Sequence, residues 1–498
     1  MNRSSIHPQS DPASSRVRRL VSRSVSPVGR LAVSTMAGLL TAIFVIVPTD
    51  LRAGPTYDAS KHGHPETGVQ RIDAEGPGAC AQCHENHGSR NGIPNAGPFD
   101  VLLFRGNDAH LCYECHQSSG AEKVYHGSVI WSDSSHSRSP MAYWPGPVPA
   151  ARKPSDAGKC VNCHDPHGAD DATGTIPSML HLREQTLCLG CHTGVQASDV
   201  KSDFSKPYRH PIAFSQRHSA AEASIQDPAH FAGGATNQRH AECADCHNAH
   251  VATSDLWPPA APEASQRNFG VARVAVVNQA AGQLPTYVWR GAEDIAQPLE
   301  YELCFKCHSS WTTLPNGSPD LAQLTNPNNP SYHPIQAEGK NRNIDPMAFS
   351  DGWSWDRRVF CSDCHGSDED GRRGPHGSMH RSLLKRPYPT ASAPAPTTAS
   401  DLCFSCHRHE VYADPTASTA TQQASRFNDA SGRGHTYHVA AQNIACSTCH
   451  ATHGSVSNPA LIASGGATGI ILYSQGGGGG TCTTTCHEPR NYTVSYPR

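Results

Sequence analysis

Apolar residues are scarce in this chain of 498 residues, at 37%. A globular domain usually holds about 45–50%, counted over a slightly different residue set. Methionine is scarcer still: of six, four lie beyond residue 53, at Met141, Met179, Met347 and Met379. One long apolar run, residues 31–47, has no successor, so the rest of the chain reads as soluble or peripheral. No phosphate-cradling loop, nucleophile triad or carboxylate pair stands out. Glycine and proline, in contrast, reach 81 residues, which points to turns and irregular backbone.

What is present is cysteine in a single pattern. All twenty fall in ten pairs, and each pair is followed at once by a histidine. Nine read Cys-x-x-Cys-His: Cys80, Cys83 and His84; Cys112, Cys115 and His116; Cys160, Cys163 and His164; Cys188, Cys191 and His192; Cys243, Cys246 and His247; Cys304, Cys307 and His308; Cys361, Cys364 and His365; Cys403, Cys406 and His407; Cys446, Cys449 and His450. The tenth, Cys482-Thr-Thr-Thr-Cys486-His487, has one extra residue. On a helical turn, positions i, i+3 and i+4 share a face, so the three side chains can grip one macrocycle. The motif is the attachment signal for c-type haem. Its thiols form thioethers with the two vinyl groups, and its histidine is the proximal iron ligand. Five four-cysteine zinc sites are the competing reading, because zinc ribbons use similar spacings. Neither zinc nor disulfides require a histidine after every second cysteine. Ten covalent haems c would also supply the core that the apolar content does not. The fold expected is mostly irregular and loop-rich, with short α-helices at the haem motifs and a β-hairpin near 271–289, built on a haem core.

Residues 1–30 carry six arginines against one acid, Asp11, and the uncharged run 31–47 follows. With the polar stretch 48–53, this is the layout of a secretory signal, with cleavage expected after Ala53. Left uncleaved, the same segment would associate the protein with a membrane. Haem is attached to c-type apoproteins after export, so localisation in the periplasm or at the outer cell surface is expected. Removing residues 1–53 takes seven of 40 basic and two of 43 acidic residues and leaves a balance of −8. That balance disfavours nucleic acid as a partner.

The motifs alternate between two kinds, which gives an internal repeat. First members continue as Cys-His84-Glu-Asn-His87-Gly, Cys-His164-Asp-Pro-His167-Gly and Cys-His450-Ala-Thr-His453-Gly. In the third repeat Val251 follows His250, and in the fourth eight extra residues precede His376-Gly377. Four second members begin Leu-Cys, at Leu111, Leu187, Leu303 and Leu402. Dihaem repeats are therefore placed at 54–130, 131–200, 201–325 (with an insertion at 251–302), 326–420 and 421–498. Residues 139–154 and 391–398 read as proline-rich linkers, and 476–480 as a flexible glycine run before the tenth motif.

These motifs, and the second member Tyr301-Glu302-Leu303-Cys304-Phe305-Lys306-Cys307-His308, resemble the doubled-Cys-x-x-Cys-His multihaem c-type cytochromes, a cytochrome c3-like group of respiratory bacteria. The resemblance covers roughly residues 62–487. It implies bis-histidine haems packed edge to edge, short helices and long loops, and electron transfer rather than binding of an organic substrate. The departures are Val251, the insertion before His376, and the Cys482–Cys486 spacing.

Twenty further histidines beyond residue 53 are candidates for ten distal positions, whereas methionine could serve four haems at most. One set is His87, His167, His250, His376 and His453. Each is too near its own proximal histidine to reach the opposite face of that haem, but can reach the partner haem of its pair. The second set lies upstream of each pair: His64, His136, His210, His333 and His435. His62 competes with His64, and His438 with His435. His110, His126, His181, His218, His230, His240, His380 and His409 recur less regularly and read as surface or propionate-bonding residues, with His110 and His181 the leading exceptions.

The function expected is an electron conduit, exchanging electrons with redox partner proteins such as other cytochromes and quinol-oxidising or outer-membrane complexes. A multihaem reductase acting on nitrite, hydroxylamine or tetrathionate is the alternative. It needs one iron with an open position, often announced by Cys-x-x-Cys-Lys, and no motif here ends in lysine. A filament subunit, a homopolymer of this chain, is the third reading.

Overall fold

The computed structural model describes residues 55–493, apart from 86–98, 117–124, 127–128, 148, 173, 213–240, 313, 315–316, 394–395, 428–432, 466–468 and 477–478. The segment read as a leader lies outside the described residues, as do His87, His218, His230 and His240. By its contacts the chain divides into Met1–Leu51 and Arg52–Arg498, so the five repeats form one unit. Among the described residues no helix is long and apolar enough to cross a membrane.

Regular structure is short and sits where the motifs are. Three helices carry second motifs: α1 (Ala109–His116), α2 (Glu184–Cys191) and α3 (Glu300–His308). α3 starts at Glu300, and the Glu302 carboxylate accepts from the Leu299 N–H at 3.3 Å. This satisfies a free end donor and places negative charge at the positive end of the helix. Most first motifs form a tighter 3-10 turn instead, as at Cys80–Gln82, Cys160–Asn162, Cys243–Asp245 and Cys446–Thr448.

The largest buried apolar cluster forms where the third repeat's insertion packs on α3, with smaller ones around Val411 and Phe404. Strands β1 (Arg273–Val277) and β2 (Thr286–Arg290) pair antiparallel, where the alternation of 271–289 predicts a hairpin. Val274 of β1 joins Phe305 of α3, Trp311 and Ala322 in a buried cluster. The Trp289 and Trp311 rings stack at 5.3 Å. Arg273 is buried in the same place, its guanidinium 3.1 Å from Glu302 and 3.2 Å from Asp294.

Elsewhere, neighbouring repeats hold each other through two-residue strand pairs. Tyr208–Arg209 pairs with Gly377–Ser378, and Ser331–Tyr332 with Gly454–Ser455. A Cβ on Gly377 would lie 1.9 Å from the Asp203 carbonyl oxygen, and one on Gly454 1.9 Å from that of Leu324. The glycine of the His-Gly tail is thus required by close backbone approach. In the third repeat, which lacks it, the Val251 side chain is buried instead.

Two expectations change here. Residues 139–154 do not behave as a linker: Trp144 is buried, its N–H bonded to Asn162 Oδ1 at 3.0 Å. The glycine run is not loose chain either. Strands β3 (Ile470–Gly476), β4 (Gly479–Thr484) and β5 (Arg490–Thr493) form one antiparallel sheet, with Gly476 opposite Gly479.

Candidate haem-binding array

Nine motifs close a helical turn. In seven of them the histidine N–H donates to the first cysteine's carbonyl, from His84 to Cys80 at 2.9 Å through His450 to Cys446 at 3.0 Å. His116 and His308 end α1 and α3. This turn brings both thiols and the imidazole to one side. The tenth motif differs. Cys482 lies in β4, between Tyr473 and Arg490 of the flanking strands, and Cys486 and His487 are exposed.

The imidazoles of the first motifs share a setting the sequence reading missed. The Nδ1 of His84, His164, His365 and His450 lies 2.8–3.0 Å from the carbonyls of Val101, Ser178, Ser382 and Ala460. Each of these acceptors has φ between 51° and 60°, and so does the leucine or methionine that follows it. Non-glycine residues held there cost about 1–3 kcal/mol each, so the surrounding structure must impose the geometry. A proton on Nδ1, held by the carbonyl, leaves the Nε2 lone pair for a metal. The signal in the sequence was faint. Leu102-Leu103, Met179-Leu180, Leu383-Leu384 and Leu461-Ile462 recur, but at variable distances from their motifs. In the third repeat His247 uses the Arg267 carbonyl at 3.0 Å.

Opposite eight of the proximal rings stands a second imidazole. Ring centroids are 6.2 Å apart for His84 and His167, 5.8 Å for His164 and His250, 6.1 Å for His247 and His376, and 6.2 Å for His365 and His453. The second motifs give 5.9 Å for His62 and His116, 6.3 Å for His136 and His192, and 6.4 Å for His210 and His308. Around His407, burial first and then the nearby His333 and His450 lower the pKa to about 4, while its ring meets those of Phe349 and Tyr412. In the fifth repeat His435 faces His450 at 6.0 Å. Two imidazoles on opposite sides of one metal, each nitrogen about 2 Å from it, place their centroids about 6 Å apart. The residues therefore fit an iron between each pair.

The pairing corrects the sequence reading in two respects. His167, His250, His376 and His453 do not face the other motif of their own pair. Each faces the first motif of the preceding repeat, because the strand pairs and loops stack consecutive repeats with an offset. At the first upstream position His62 stands against His116, whereas the His64 Nδ1 accepts from the Glu66 and Thr67 N–H groups. His87 lies outside the described residues. Of the less regular histidines, His110 bonds the Asp108 carboxylate and the His181 Nε2 lies 2.6 Å from the Val161 carbonyl.

The offset has a second layer. His62, His210 and His333 each direct Nδ1 to the carbonyl just before the next repeat's histidine, at Pro166, Pro375 and Thr452. In the second repeat the corresponding carbonyl, that of Ala249, lies near His136. One short tail thus presents a histidine to the preceding repeat's first motif and orients the histidine of its second. Burial, followed by neighbouring imidazoles, lowers His250, His376 and His453 to about 4 and His435 to about 3. They are neutral donors at neutral pH, as iron ligation requires.

The thiols form an unbroken succession. Cys112 lies beside Cys160 across a repeat boundary, as Cys188 does beside Cys243, Cys304 beside Cys361, and Cys403 beside Cys446. Within repeats, Cys83 neighbours Cys115, Cys163 neighbours Cys191, Cys246 neighbours Cys304, and Cys364 neighbours Cys406. Cys449 neighbours Cys482 and Cys486. Motifs adjacent in sequence are adjacent in space from the first to the tenth. No cysteine is in a disulfide. Burial pushes Cys163 and Cys449 up to about 11. Among the described residues no group of three or more His, Cys, Asp or Glu side chains is disposed to hold a metal ion by itself.

A family model described as "Doubled CXXCH motif" matches residues 153–197, which hold both motifs of the second repeat. That match fits a multihaem c-type cytochrome with covalently bound haem c and a role in electron transfer. No curated protein and no solved structure matches the chain.

Proposed function

We propose that this chain is an exported decahaem c-type cytochrome that conducts electrons along its haems in the order of the sequence. The observation that carries the proposal is the unbroken succession of neighbouring motifs, eight of them with a histidine ring facing the proximal one. Haem, when bound, supplies a one-electron iron couple. The protein's own part is to grip each ring through two cysteines, to present neutral imidazoles to both faces, and to hold consecutive sites together. Such an arrangement transfers electrons without a vacant position for substrate. It fits an electron carrier of the periplasm or outer cell surface, exchanging with other redox proteins.

Intact-mass measurement is expected to give ten covalent haems, and the ferric protein is expected to be low-spin. Reduced protein should bind little carbon monoxide yet exchange electrons rapidly with an electrode. Eight haems or fewer, or several equivalents of bound carbon monoxide, would overturn the reading. A second reading, a reductase, is favoured by one observation: His487 is exposed in the bend between β4 and β5, with Nδ1 against its neighbour's carbonyl, Glu488, at 2.7 Å.

A further inference from the structure

The fifth repeat breaks the offset rule at one point. In the other four, the upstream histidine (His62, His136, His210 or His333) serves the second motif of its own repeat. In the fifth, His435 faces the first motif, at His450. His487 is thereby left without the upstream histidine that every other second motif has. With His333 assigned to His407 by the pattern of the other repeats, one distal ligand remains to be found for ten sites.

We infer that His438 is that ligand, the axial partner of the tenth haem opposite His487. The inference rests on the bis-histidine conduit proposed above. His438 follows His435 by three residues, within the five-residue π-turn Tyr437–Ala441. A π-turn is a rare local geometry that occurs often at functional sites. The His438 Nδ1 lies 2.9 Å from the Gly434 carbonyl. This is the same second contact that His62, His210 and His333 make, and it leaves Nε2 as the donor atom.

Placement supports the assignment independently. The Phe427 ring lies 5.0 Å from His435, 5.8 Å from His438 and 5.0 Å from Tyr492. Tyr492 belongs to β5, opposite Gly480 of β4, and its hydroxyl donates to that of Tyr473 at 2.8 Å. Tyr473 in turn pairs with Cys482. The turn that holds His435 against the ninth motif thus borders, through one aromatic ring, the sheet that carries the tenth. Two histidines in one turn give this repeat the two distal ligands that elsewhere come from two repeats. The inference closes the position that a reductase would need open.

The test uses the full haem-loaded protein with His438→Ala. Intact mass is expected to stay at ten haems. One additional high-spin ferric signal should appear, with one equivalent of carbon monoxide bound on reduction. Added imidazole should restore the low-spin spectrum, which a merely structural role for His438 would not produce. In a variant that also carries Cys482→Ala and Cys486→Ala, the carbon monoxide site should vanish. His380→Ala should leave the spectrum as in the parent. An unchanged spectrum in His438→Ala would overturn the inference, as would a parent that already binds one equivalent of carbon monoxide or carries nine haems. In each of those cases nine low-spin haems would remain and the conduit reading would stand. A parent with several high-spin haems would sink the conduit reading itself.

Discussion

The first four repeats and the fifth solve the same problem differently. In the former, Cys-x-x-Cys-His closes one helical turn, and the following repeat's tail completes the preceding repeat's first motif. In the latter, the second motif has one more residue between its cysteines and runs from β4 into the bend after it, while two histidines of one turn replace the tail. The spacing accounts for much of this contrast. With two intervening residues, cysteine, cysteine and histidine fall at i, i+3 and i+4, one face of a turn. With three, they fall at i, i+4 and i+5, and the chain presents them from extended backbone beside a turn. A short motif therefore specifies its local geometry tightly, whereas the partner across the haem is specified by how repeats stack.

If stacking sets the distal ligands, the joint between the fourth and fifth repeats is where the likeness breaks most easily. Gly454→Val would drive a side chain into the Leu324 carbonyl. It is expected to cost about 3 kcal/mol or more, read from denaturant unfolding. It should also turn the haems of His365 and His407 high-spin together, since His453 and the Thr452 carbonyl move as one. Loss of stability with all haems still low-spin would show that the strand pair does not position the ligands.

A smaller effect is expected at the corresponding joint between the third and fourth repeats. There Asp203, 1% exposed, and Lys206 form ion pairs with Asp368, Glu369 and Arg372 of the eight-residue insertion. The network holds the enlarged loop so that His376 still reaches His247. Lys206→Met should cost about 3 kcal/mol, because it leaves buried carboxylates without their counter-charge. It should also raise the high-spin fraction at a single haem. A fully low-spin variant of wild-type stability would contradict that role.

The mildest change sharpens the comparison within the first repeat. His62→Ala should make one haem high-spin, while His64→Ala should leave every haem low-spin. The reverse outcome in visible and paramagnetic spectra would return the assignment to His64.

The contrast between motif and partner also explains what could be read from the sequence. The twenty cysteines and ten proximal histidines are legible because attachment is local, and the β-hairpin follows from alternation within a few residues. The tail histidines are legible as a set, but their partners are not. His250 lies three residues after His247 and yet faces His164, and only the stacking of repeats decides this. His62 and His64 are two residues apart in the same loop. What separates them is that the latter's ring is taken up by the Glu66 and Thr67 N–H groups. The carbonyls that orient the first-motif histidines were invisible because their spacing drifts from 17 residues at His84 to 10 at His450.

The offset between repeats is the central claim, and His376→Ala tests it most directly. Its ring faces His247, 129 residues earlier and in another repeat, at 6.1 Å. The account predicts that the variant keeps ten haems and gains one high-spin haem, and that this signal disappears when Cys243 and Cys246 are also replaced. If the signal instead disappears on replacing Cys361 and Cys364, or Cys403 and Cys406, His376 serves its own repeat and the offset is wrong.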